Sequence, residues 1–271
     1  MKYVILIMVL VVGACSGDKA ESTPKDAQTV VSSEIVYEAD SVSLKGYLAM
    51  PANLTEKAPG VLVVHEWWGQ NEYARKRADM LAEMGYIAFA LDMYGEGKTA
   101  THPEDAQKFA SAVMQNIAAG EARFDAALNT LKSNASVDQS KIAAIGYCFG
   151  GGVVLHMARK GKDLAAVASF HGSLGSMFTP AKGGVKAEIL VANGADDPMV
   201  TAEQIEAFKK EMDTAEATYQ IRNYPGAKHS FTNPGADSVG IKYNLPLAYN
   251  KEADEKSWQA MQELLTRAFA K

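Results

Sequence analysis

Residues 141–154 read KIAAIGYCFGGGVV. An apolar run reaches Gly146, Cys148 follows two residues later, and glycines occupy 150–152 before a second apolar stretch begins. The first run is short and continuous, as in a strand buried on both faces, and the segment after the glycines reads as the start of a helix. A cysteine on such a strand-to-helix turn has the form of a nucleophile elbow, G-x-S-x-G with cysteine in place of serine. The turn is strained and crowded, so the positions two before and two after the nucleophile, Gly146 and Gly150, must be small. The helix that follows offers unpaired N–H groups and a positive dipole end, which favour a thiolate and a developing oxyanion. Gly-rich turns also cradle phosphates, but here the Walker lysine is missing and the glycine spacing is not G-x-G-x-x-G.

On either side of the elbow, strands alternate with helices. GVLVVHE, YIAFALDMYG, LAAVASFHG, AEILVANGADD and ATYQIRNYP read as strands. Helical spacing marks NEYARKRADMLAEMGY, AEQIEAFKKEMDTA and the closing EADEKSWQAMQELLTRAFA. The segment from His102 to Asn134 also reads as helix, with a break expected near Gly120. This order predicts an α/β protein with a mostly parallel central sheet and helices on both faces. EIVYEA and VSLKGYLAMP alternate with period two, which predicts an antiparallel N-terminal edge.

A thiol nucleophile needs a base and an acid, and in this class of sheet they follow in the order nucleophile, acid, histidine. Asp196 and Asp197 end one strand and His229 ends the next, where open α/β sheets gather their functional loops. Asp197 is chosen for its place three residues after Gly194 and beside Pro198, with Asp196 as a turn former. His65, His102, His156 and His171 are expected to be structural, as loop support, cap or strand-end residues. No H-E-x-x-H or C-x-x-C occurs, and neither metal nor cofactor is expected.

The chain has 271 residues and a formal net charge of −5, with its basic residues scattered, so no nucleic-acid surface is expected. The N-terminus, MKYVILIMVLVVGAC, has one basic residue and an apolar run too short for a membrane span. It predicts a signal peptide over 1–14, lipidation of Cys15, a polar tether over 15–33 and a single folded domain over 34–271. The expected location is the cell envelope, at the periplasmic face of an outer membrane where one exists. Contact with the membrane is then only through the lipid anchor. With Cys15 lipidated, Cys148 has no disulfide partner, and an unpaired thiol in an oxidising compartment calls for a reason such as catalysis.

HEWWG, LDMYG, GYCFGG, GADDPMV and YPGAKHSFTNP together resemble the dienelactone hydrolase family, a branch of the α/β-hydrolases. The resemblance implies the α/β-hydrolase fold and a small ester or lactone substrate. It implies a Cys148–His229–Asp197 triad, Glu66 in contact with the resting thiol, and an oxyanion hole of the Trp67 and Phe149 backbone N–H groups. Family members that open dienelactone hold its carboxylate with arginines, and those places here read Glu96 and Asn233. Neither pairs with a carboxylate, so dienelactone itself is not the expected substrate. Alternatives are a catalytically silent, lipid-anchored small-ligand-binding protein on the same scaffold, and a thioesterase or acyltransferase. Trp67, Trp68, Tyr94, Tyr147 and Phe149 are expected to line an apolar pocket, and residues 232–257 to form either a lid or a loop.

Overall fold

A computed structural model of the chain describes residues 28–176 and 178–271. The expected signal peptide, Cys15 and the tether up to residue 27 lie outside the described residues. The first strand, β1 (Val30–Ala39), begins four residues before the expected start of the domain. It pairs antiparallel with β2 (Val42–Pro51) from Val30 opposite Pro51 to Ala39 opposite Val42, so residues 30–33 belong to the sheet and not to a tether.

The other strands are β3 (Ala58–Val64), β4 (Ile87–Leu91), β5 (Val137–Tyr147), β6 (Ala166–Phe170), β7 (Glu188–Gly194) and β8 (Tyr219–Tyr224). The eight form one sheet in the order β1-β2-β4-β3-β5-β6-β7-β8. β2 pairs antiparallel with β4, and every later pairing is parallel. The helices are α1 (Glu72–Glu83), α2 (Pro103–Gln115), α3 (Ile117–Ser133), α4 (Phe149–Arg159), α5 (Ala202–Thr214), α6 (Ala236–Tyr243) and α7 (Lys251–Phe269).

Alternation along the strands feeds two cores. Leu62 and Val64 of β3 belong to the same core as Phe124 and Leu128 of α3, Val154 of α4 and Phe208 of α5. Val61 and Val63 belong to the other core, which holds Ala78 and Leu81 of α1 and Met261 and Leu265 of α7. All four β3 side chains are fully buried, each contributing about 1.5–3 kcal/mol over exposure. This is why β3 reads as an unbroken apolar run.

The long helical segment breaks at Asn116, not at Gly120. Asn116 ends α2 and caps α3, its side chain accepting the Ala119 N–H at 3.3 Å. Gly120 is buried inside α3, where a Cβ would stand 2.9 Å from Val113 of α2. That glycine permits close approach of two helices and terminates neither.

The strand register levels the site. Val64 lies opposite Gly146, Tyr147 opposite Phe170, and Gly194 opposite Tyr224. After β3 the chain turns to β4 on one side, and β5 to β8 continue on the other. A crevice opens at such a switch point, above the carboxyl ends of β3 and β5.

Candidate active site

Cys148 sits between β5 and α4 with φ +52° and ψ −115°. The glycines around it are demanded by backbone, not by side chains. A Cβ at Gly146 would lie 2.1 Å from the Gly150 carbonyl oxygen, and one at Gly150 would lie 2.3 Å from the Val64 carbonyl oxygen. The Gly150 N–H donates to His65 O at 3.1 Å, docking the start of α4 onto the end of β3. The Cys148 N–H is shared between Phe170 O at 3.0 Å and His171 Nδ1 at 3.1 Å.

Asp197 and His229 arrive from the ends of β7 and β8. Both are buried, and His229 Nδ1 donates to Asp197 Oδ2 at 2.8 Å. The other Asp197 oxygen accepts the Met199 N–H at 2.8 Å, which sets the carboxylate plane. Asp196 is exposed. His229 Nε2 is buried and makes no hydrogen bond among the described residues. His229 and Cys148 line the same cavity of about 300 Å³, together with Trp67, Gln107, Phe149 and Met199. Burial works against a charged ring at His229. A thiolate on Cys148 and the Asp197 carboxylate outweigh it, and the imidazole is pushed up to about 10.

Glu66 is buried, and among the described residues it makes no hydrogen bond to the thiol. Its two oxygens accept from Ser230 Oγ at 2.8 Å and Asn233 Nδ2 at 2.7 Å. Burial raises its carboxyl, while those two donors and the charges of His229 and Arg77 pull it back. Asn233, the position where an arginine is wanted for a substrate carboxylate, is therefore occupied in holding Glu66. Glu96 lies away from the cavity, exposed and paired with Lys98 at 3.0 Å. Neither the Trp67 nor the Phe149 backbone N–H donates to another group among the described residues, and both residues line the cavity.

His65, His102 and His156 have structural places. His65 bridges Glu66 O and the Met93 N–H, His102 caps α2, and His156 bonds Glu121 at 2.8 Å. His171 does more than end a strand. Because Nδ1 accepts the Cys148 N–H, the proton is on Nε2, which donates to Thr232 Oγ1 at 2.8 Å. Burial and the nearby charges of His229 and Arg77 hold it well below the ordinary imidazole range, so it stays neutral. Thr232 Oγ1 continues to Tyr73 OH at 2.6 Å, and buried Arg77 donates to Tyr73 OH, to Thr232 O and to Asp254. The short distance from His229 to Ser230 and Asn233 in HSFTN was the one local signal for the Glu66 clamp; nothing local pointed to Arg77 or Tyr73.

The expected aromatic lining is corrected in part. Trp67 and Phe149 line the cavity, but Trp68 faces a different one and Tyr147 is fully buried beneath Arg77. Residues 232–257 contribute nothing to the wall at Cys148. They contain α6 and the start of α7 and are pinned beside the site by Ala248 N–H to His229 O and Asn250 N–H to Phe231 O.

The model of the dienelactone hydrolase family matches residues 44–269. Protein usf of Aquifex pyrophilus is 29% identical over 80% of this chain and 97% of its own length. The solved structure of m3DLH is 36% identical with a TM-score of 0.84, covering 88% of this chain and 98% of that one. A dienelactone hydrolase-like promiscuous phosphotriesterase from metagenomic libraries is 33% identical with a TM-score of 0.81, covering the same shares.

Proposed function

Because the chain belongs to the dienelactone hydrolase family, it is an ester or lactone hydrolase, and we propose that it acts on small neutral substrates through Cys148, His229 and Asp197. The observation that carries this is the buried Asp197–His229 bond in the same cavity as a cysteine on a strained elbow.

The Cys148 thiolate attacks the carbonyl carbon, and the carbonyl oxygen takes the charge against the Trp67 and Phe149 N–H groups. The imidazolium of His229 gives its Nε2 proton to the departing alkoxide, leaving a thioester on Sγ. The now neutral ring takes a proton from water as that water attacks the thioester. Collapse returns the thiolate and releases the acid. Asp197 accepts from Nδ1 throughout and keeps Nε2 aimed at the reacting atoms. Glu66, clamped by Ser230 and Asn233, adds negative charge beside the imidazolium.

Acid quenching during turnover of 4-nitrophenyl butyrate is expected to trap a butyryl thioester on the peptide bearing Cys148, read by mass spectrometry. An adduct on another residue would sink the mechanism. Added alcohol that diverts the acyl group into a new ester would shift the assignment toward acyl transfer.

No lysine or arginine lines the cavity. A neutral lactone is therefore expected to exceed an equally reactive carboxylate-bearing lactone in kcat/KM by about tenfold or more. Equal values would show that charge is not read there.

The thiolate is the largest influence raising His229. In Cys148→Ala the ring is expected to titrate far below about 10, toward its ordinary 6.5, in an NMR pH titration. In the intact enzyme the general acid is lost as pH rises through about 10, so turnover of esters with poor leaving groups falls there. The leader-like sequence ending at Cys15 supports an envelope location with the domain tethered through a lipid on that cysteine, which mass spectrometry of the mature N-terminus would test.

A further inference from the structure

The basic groups absent from the catalytic cavity gather in its neighbour. A second cavity, of about 390 Å³, has Lys98, Lys108 and Arg123 in its wall and no carboxylate. Its remaining surface includes Tyr94, Phe109 and Val113. α2 contributes to both walls, Gln107 to the first and Lys108 to the second.

Arg123 is held in place without being neutralised. Its Nη1 donates to Met93 O at 2.6 Å, and among the described residues it makes no other hydrogen bond and no ion pair. Lys108 likewise has no ion-pair partner among the described residues, and Lys98 has only the exposed Glu96, a pairing of little strength. A half-buried guanidinium with free N–H groups suits a planar, two-oxygen anion. The aromatic and aliphatic walls suit an apolar body attached to it. Inorganic anions would leave those walls unused.

We propose that this cavity is a binding site for small aryl or alkyl monocarboxylates, whose carboxylate pairs with Arg123 and Lys108 while the apolar body lies against Tyr94 and Phe109. Tyr94 also contacts two residues that line the catalytic cavity. Its OH donates to Trp67 O at 2.9 Å and its ring meets Phe149 at 5.6 Å, so an occupant touches the residue that braces both backbone donors.

The test is calorimetric titration of the full chain with benzoate at fixed ionic strength, against benzamide and inorganic phosphate. Saturable benzoate binding is expected, weakened about tenfold or more in Arg123→Gln and by a smaller factor in Lys108→Gln. Benzamide and phosphate are expected to bind at least several-fold more weakly. Prior alkylation of Cys148 with iodoacetamide is expected to leave benzoate binding in place. Lys108 is exposed, so Lys108→Gln decides the matter if Arg123→Gln fails to fold. No saturable binding, binding indifferent to Lys108→Gln, equal binding of benzamide or phosphate, or loss of binding on alkylation would each overturn the proposal.

Discussion

Cys148→Ala is expected to lower kcat/KM for 4-nitrophenyl butyrate by about 10⁴-fold or more, to the level of background. In the proposed mechanism Sγ is the atom that carries the acyl group. The catalytic cavity contains one other hydroxyl, Ser173, and among the described residues it makes no hydrogen bond to a histidine. The substitution keeps a Cβ at the same positive φ, so stability should change little, and equal melting temperatures would separate lost chemistry from lost fold. Turnover within tenfold of wild type would remove Cys148 from the mechanism. Cys148→Ser is expected to be impaired as well, because a serine hydroxyl is intrinsically a far weaker acid than a thiol and a weaker nucleophile without a base to activate it.

Gly146→Ala is expected to destabilise the protein by about 3 kcal/mol or more, and to lower its melting temperature by about 6–12 °C. The added Cβ would stand 2.1 Å from the Gly150 carbonyl oxygen, 2.4 Å from its carbonyl carbon and 2.9 Å from the Gly151 nitrogen. These are backbone atoms at the start of α4, with no flexible side chain to give way. Relief requires shifting the elbow, and a displacement near 1 Å at the nucleophile can cost about 100-fold in rate. Gly152→Ala is the control. Its Cβ would meet nothing nearer than 3.7 Å, and alanine is the better helix former, so equal or slightly higher stability is expected. If the two substitutions behave alike in differential scanning calorimetry, the close packing at Gly146 is not what holds the elbow.

The elbow was legible because its rules are local. A buried strand, a small residue two before and two after the thiol, and a helix start all lie within residues 141–154. The placement of Asp197 and His229 at successive strand ends was legible too, since parallel crossovers bring those ends to one edge of the sheet. The helix break was misplaced because Gly120 looks like a breaker in one dimension. Only the α2–α3 packing shows that it serves as a contact point, while Asn116 performs the cap. The domain start was set too late because the polar residues Ser32 and Ser33 conceal an edge strand, where side chains need not be apolar.

From sequence alone, then, came the thiol, its turn, the order of its partners and the family these resemble. Tertiary structure decided what surrounds them. Glu66 meets Ser230 and Asn233 from more than 160 positions away, and His171 reaches the Cys148 amide on one side and Thr232 on the other. Arg77 crosses from α1 to Asp254, and the cations gather behind Tyr94 and not beside Cys148. Local pattern follows from propensity and periodicity along the chain. Which polar groups meet in a buried site depends on how layers stack and on which partners satisfy them there, and that exists only once the chain is folded.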